Sequence, residues 1–147
     1  MKKNDFSVSD EKPELPEWYW HRGLHDAKIV RIEKLELPYD YKQRIPTRNC
    51  FAVHIDSKQA MFDTSVREIR LFNYKIMTAD LSTSDIEGTY WITDQLTEEN
   101  GKYVLQVELQ NCGRNSTYNF ILKIRFESAE IIRNGMVSSY GEKKRYR

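Results

Sequence analysis

The sequence predicts a mainly β fold: a curved antiparallel meander forming a sandwich or partial barrel, with at most one or two short helices. Three observations predict it. Residues 102–110 and 118–127 alternate at the period of a strand, the first placing Tyr103, Leu105, Val107 and Leu109 on one face, the second Tyr118, Phe120, Leu122, Ile124 and Phe126. Asn100-Gly101 separates 89–97 from 102–110, and Asn-Gly is the strongest short hairpin signal because both residues accept positive φ at low cost. No apolar period of 3.6 residues persists beyond one or two turns.

The elements follow in chain order. Residues 1–16 are polar, contain Pro13 and Pro16 and show no period, which reads as a mobile leader before a single β domain over 17–133 and a basic tail over 134–147. Pro16 is placed to open one helical turn that Gly23 would end. Residues 27–37 read as a strand in which Ala27 and Ile29 share one phase, Val30 and Ile32 the other, and Leu35 and Leu37 the first again. Such slips imply a bulge. Pro38 ends this strand, and 39–48 reads as a long loop of the kind that often carries function.

Phe51, Val53 and Ile55 then alternate with Ala52, His54 and Asp56, so His54 faces away from the core. Residues 57–59 read as a turn. Over 66–76 the phase changes between Ile69 and Leu71 on one side and Phe72, Tyr74 and Ile76 on the other, which implies a second bulge near Leu71. The polar stretch 78–88 is a connection, 111–117 a turn, and 129–133 a short edge strand. An α+β arrangement is the runner-up, because 57–66 or 78–88 has room for a short helix.

Composition narrows the function classes. The chain has 147 residues, 39% hydrophobic and 31% charged, enough apolar surface for one core without staples. Its 23 basic and 22 acidic residues leave a formal net charge of +1, so no global field draws nucleic acid or an anionic membrane. Nucleic acid is therefore not the expected partner, and the terminal Lys143, Lys144, Arg145 and Arg147 read as a solvated end. Residues 1–5 lack the apolar core of a signal peptide and no run approaches the ~18 residues of a membrane span, so a cytoplasmic protein with no membrane contact is expected. Cys50 and Cys112 have no metal-ligand spacing, and the six glycines form no phosphate-binding pattern; no cofactor and no metal are expected.

The densest chemistry lies in residues 18–26, which hold two of the three tryptophans and two of the three histidines. Trp18, Tyr19 and Trp20 could stack on a base, a sugar or a partner side chain, but a tryptophan cluster at a domain start more often plugs a sandwich. Arg22 offers a planar fork for a carboxylate. His21 and His25 have the i, i+4 spacing of a zinc site, yet Gly23 interrupts a helix and no third ligand follows. His25 beside Asp26 could be a general base with its orienting carboxylate. Strand alternation would send the two to opposite faces, so the expectation is that His25 or Asp26 satisfies backbone groups where the leader enters the sheet. No nucleophile with an oxyanion loop accompanies them.

Leu24-His25-Asp26 with Ile29 and Ile32, together with the closing Leu122-Lys123-Ile124-Arg125-Phe126-Glu127, resembles a set of small uncharacterised bacterial β-domain proteins. Those open with an aromatic and a His-Asp pair and close on a strand ending in Phe and an acid. Here Leu24 precedes the pair and the aromatics are displaced to Trp18–Trp20. The resemblance spans about residues 18–132 and implies an immunity or accessory factor that acts by binding. The sequence reading is therefore a non-enzymatic domain that binds another protein, with Trp18, Trp20, His21, Arg22, His25 and Asp26 as the candidate surface and no catalytic residue. The alternative is an enzyme or small-ligand binder with a pocket beside Trp20, His21, His25 and Asp26.

Overall fold

The computed structural model describes residues 20, 24–58, 60, 66–113 and 116–133, and the backbone of 136–140. Among these the chain forms nine strands and one four-residue helix: β1 (Lys28–Leu37), β2 (Arg48–Asp56), β3 (Val66–Phe72), β4 (Lys75–Ile76), α1 (Thr83–Ile86), β5 (Tyr90–Glu99), β6 (Lys102–Cys112), β7 (Thr117–Phe126), β8 (Ser128–Arg133) and β9 (Met136–Tyr140). All pair antiparallel in one sheet of order β4-β7-β6-β5-β1-β2-β3-β8-β9. The sheet curls without closing into a barrel, and its two halves share one core. Ile29, Ile32, Phe51, Val53, Ile69 and Leu71 from one half meet Trp91, Leu105, Leu109, Leu122, Ile124 and Phe126 from the other.

Turn chemistry sets the registers. Asn100 and Gly101 both have positive φ, 52° and 79°, so Glu99 sits opposite Lys102 across a two-residue loop. The bulge expected in β1 falls between Ile29 and Arg31, which lets Ile29 and Ile32 both reach the core and leaves Val30 outside. The Ile32 amide finds no strand there. It donates instead to the Glu87 carboxylate at 2.9 Å. The junction between halves is narrow: Lys28 opposite Tyr90 is the one β1–β5 pair, flanked by backbone bonds from Trp91 to Ala27, from Ile29 to Thr89 and from Gly88 to Ile29.

The expected second bulge is a sharper break that falls at Asn73, just past Phe72. Lys75 opposite Arg125 and Ile76 opposite Ile124 continue the register of Phe72 opposite Ser128 and Leu71 opposite Ala129, so β3–β4 and β7–β8 form one ribbon bent at a corner. Asn73 takes a left-handed φ of 53°, and the Glu127 amide donates to Phe72 O at 2.9 Å. The Asn49 side chain spans the gap, its Oδ1 accepting from Tyr74 N at 2.9 Å and its Nδ2 donating to Tyr74 O at 3.3 Å. On both strands the core-facing phase flips here, from Ile69 and Leu71 to Tyr74 and Ile76, and from Ile124 and Phe126 to Ala129 and Ile131.

Several expectations are corrected. Residues 129–133 are not an edge, because β9 pairs beyond β8 and carries the sheet into the stretch read as a basic tail. Tyr118 is 53% exposed instead of core, and Phe120 is half-buried. Alternation assigns a residue to a face, and nothing described covers that face at the start of β7. The long loop after Pro38 is tied at its base, with Asp40 and Ile45 exchanging backbone bonds while Asp40 Oδ1 accepts from Lys42 and Gln43. A short helix does occupy the 78–88 connection. Its Ser82 amide and hydroxyl both donate to Asp85, which holds that carboxyl below its usual range. The leader and the helical turn expected before Gly23 lie outside the described residues.

Because Asn49 alone bridges both backbone groups of Tyr74, Asn49→Ala should lower stability in urea unfolding by about 1–3 kcal/mol. Asn49→Asp keeps the acceptor and should lose less.

Candidate functional site

Of the six residues nominated from sequence, Trp20, His25 and Asp26 are described, while Trp18, His21 and Arg22 lie outside the described residues. Trp20 is 5% exposed and packs edge-on against Trp91, ring centroids 5.5 Å apart. Both indoles donate to the same oxygen, Asp94 Oδ2, at 2.9 Å from Trp20 and 2.6 Å from Trp91. Asp94 projects from β5 three residues after Trp91. Burial pushes its carboxyl up to about 7, against the pull of two donors that favour the carboxylate. A buried acid holding two ring N–H groups anchors the entering chain to the sheet.

Leu24 to Asp26 form a turn, not the start of a strand. Ala27 N donates to Leu24 O at 2.9 Å and Asp26 has φ 71°, the positive value that a type II turn demands at its third residue. The turn overturns the expectation that alternation separates His25 from Asp26: His25 Nε2 stands 3.6 Å from Asp26 Oδ2, both side chains partly exposed. His25 Nδ1 bonds Ile92 O, and because a carbonyl only accepts, Nδ1 carries the proton. Ile92 is the residue skipped by the β5–β6 register between Trp91 and Thr93. His25 therefore caps a bulge, while the Asp26 amide donates to Trp91 O at 2.7 Å. The Ile92 carbonyl orients the ring, and 3.6 Å from Nε2 is too long for a hydrogen bond, so Asp26 does not serve as the orienting carboxylate of a general base.

A second polar cluster covers the outer face of β1, β2, β3 and β8. His54 Nε2 bonds Glu33 Oε1 at 2.7 Å, and its Nδ1 lies 3.6 Å from Glu68 Oε1. Arg70 continues the chain with Nε to Glu68 at 2.6 Å and Nη1 to Glu130 at 3.1 Å. The His54 bond, the largest influence on Glu33, holds that carboxyl below its usual range. Beneath it Cys50 is fully buried, and burial pushes its thiol up to about 11, which keeps it protonated and unreactive. Among the described residues no three His, Cys, Asp or Glu side chains gather to hold a metal ion, and no helix is long and apolar enough to cross a membrane. An open polar cleft of about 480 Å³ lies at the corner, lined by Glu36, Arg48, Asn49, Asn73, Tyr74 and Glu127 among others.

The feature sequence reasoning missed is the edge of β7, which no described strand covers over most of its length. Strand β4 is two residues long, and past Ile76 the Met77 amide donates to Lys123 O at 2.7 Å while Thr78 Oγ1 accepts from Lys123 N at 2.9 Å. There the ladder stops. Lys123 points its backbone groups toward β4, the β6–β7 register is unbroken, and so Thr117, Asn119 and Ile121 point theirs the same way, with no described strand opposite. Tyr118 and Ile121, at 53% and 40% exposed, flank this edge, and Met77, 44% exposed, stands at its end. A signal was present: residues 115–122 carry no charge in a chain that is 31% charged.

Comparison with protein-family models, with curated proteins and with solved structures finds no match to the chain.

The Asp94 anchor makes a pH prediction. A folded-state pKa raised from 3.8 to about 7 means the neutral acid is favoured in the fold, so stability present below pH 4 is lost as pH rises toward 7. Asp94→Asn still offers a carbonyl to both indoles but does not titrate. Chemical unfolding at pH 4 and pH 8 should show a fall of order a few kcal/mol in the wild type that the variant lacks. Equal pH dependence in both proteins would refute it.

Proposed function

We propose that this chain is a non-enzymatic protein-binding domain that takes an extended strand of its partner along the edge of β7. The observation that carries this reading is the run Thr117, Asn119 and Ile121, whose outward amides and carbonyls meet no described strand. Unpaired strand edges template the addition of a further strand, with backbone bonds supplying affinity and alternate side chains supplying selectivity. Tyr118 and Phe120, their rings 6.1 Å apart, offer an aromatic step to one face of an incoming strand, and Ile121 an aliphatic contact to the other. An immunity or accessory role, implied by the resemblance of the His25-Asp26 opening and the β7 closing strand, is the form of this reading that needs binding alone. Trp20, His25 and Asp26 then serve as the anchor of the domain entrance and not as the contact surface.

Panning a library of displayed extended peptides on the purified protein tests this. Peptides with alternating apolar residues should be enriched on the wild type and should lose binding to Ile121→Lys, which places a charge on the edge, by roughly tenfold or more. Selected peptides that bind both proteins equally would sink the reading.

A further inference from the structure

We infer that the strand that pairs with β7 is β7 of a second copy of this chain, in an antiparallel twofold contact centred on Asn119. The inference rests on the strand-addition reading above and names its partner. The edge offers outward backbone groups at Thr117, Asn119 and Ile121, an odd-numbered set with Asn119 at its middle. A twofold axis through Asn119 sets Asn119 opposite Asn119, and Thr117 opposite Ile121, in both directions. Each such pair exchanges two N–H···O bonds, so every outward group of the edge is satisfied by an identical edge.

The same register decides the side chains. It sets Tyr118 of each copy opposite Phe120 of the other, at the non-hydrogen-bonded positions where cross-strand side chains come closest. Both are on the core-facing side of β7, in phase with buried Leu122 and Ile124. Two aromatic pairs therefore extend the core across the axis, and Tyr118 loses its exposure. Ile121 meets Thr117 on the other face. Since residues 115–122 hold no charge, the paired stretch itself sets no like charges opposite one another, and the basic Arg114 and Lys123 lie outside it.

Other edges lack this property. The unpaired stretch of β5 carries Asp94, Glu98 and Glu99, all of one sign, and that of β1 carries Arg31, Glu33, Lys34 and Glu36, charges that hydrate the edge and that an uncharged pairing does not have to desolvate. Strand β9 is uncharged too, but three basic residues, Lys143, Lys144 and Arg145, follow it in the chain, against the single Arg114 and Lys123 that flank residues 115–122. Of the six large apolar residues exposed among those described, Tyr118, Ile121 and Met77 gather at β7.

Sedimentation velocity of the full chain over about 10 to 500 µM covers the affinity expected of so small a contact. The wild type should shift from monomer to dimer and no further. Ile121→Lys should weaken the dimer at least about tenfold, because a like charge is set on each edge. Asn119→Pro should do the same by removing the amide at the axis; that amide points away from β6, so the β6–β7 ladder survives. Val30→Lys, at an exposed apolar site on β1, should leave the dimer intact. Thermal melts establish that each variant folds. Hydrogen exchange should protect the Asn119 and Ile121 amides only at dimer-forming concentrations.

A monomer at every concentration, growth beyond the dimer, a dimer indifferent to both edge variants, or protection independent of concentration would overturn the proposal. If the protein stays monomeric while selected peptides bind the wild type and not Ile121→Lys, strand addition stands and only the identity of the partner falls.

Discussion

The corner at Asn49, Asn73 and Glu127 is the constraint on which the rest of the structure depends. A two-stranded ribbon as long as β3–β4 with β7–β8 cannot stay straight and still bury both its ends in one core. The left-handed Asn73, the Asn49 bridge to Tyr74 and the Glu127 amide on Phe72 turn it, and both strands exchange their inward phase at that point. One consequence is the shared core, in which Phe51 and Phe126 are both fully buried. Another is the shortness of β4. A chain leaving the corner toward Leu81 and α1 pairs with β7 for two residues only, and beyond Lys123 no described strand covers the edge of β7.

How much of this was legible follows from the range of the interactions involved. The β5–β6 hairpin, the β1 bulge and the core phase of Leu105, Leu109, Leu122 and Ile124 depend on neighbours one or two residues apart, and sequence pattern carries that information. The face of Tyr118 was legible in the same way. Its exposure was not, because cover comes from the opposite half of the molecule. Asp94 could not be joined to Trp20 from sequence, since the two lie 74 residues apart and meet only once β5 is placed. The His25-Asp26 pair was misjudged for a local reason: a strand was extended back through a turn whose mark, a positive φ at Asp26, belongs to a residue type that tolerates it without requiring it.

Placing Asp94 changes the meaning of residues 18–26 as far as they are described. Three polar groups in this region, the Trp20 and Trp91 indoles and the His25 Nδ1, are each committed to an acceptor on β5. Side chains already holding backbone and side-chain acceptors cannot hold a substrate with the same atoms unless those bonds are broken, at the cost of leaving the buried Asp94 carboxyl without its donors. The density of chemistry in this stretch thus reflects the work of fastening a chain across the narrow β1–β5 junction, where backbone pairing is sparse.

The sheet also distributes its charges unevenly, and that distribution bounds what the bare edge can do. The outer face of β1, β2, β3 and β8 is knitted by Glu33, His54, Glu68, Arg70 and Glu130 into one polar network, a surface that hydrates well. Among the described residues the edge of β7 has no such protection, yet it is short. Thr78 ends it on one side by occupying Lys123, and on the other β6 and β7 end at Cys112 and Thr117 around Gly113. Between these limits three residues present outward backbone groups. An edge that offers so few groups can be saturated by one strand and leaves nothing over for a second, so pairing there closes a contact and does not propagate into a fibre.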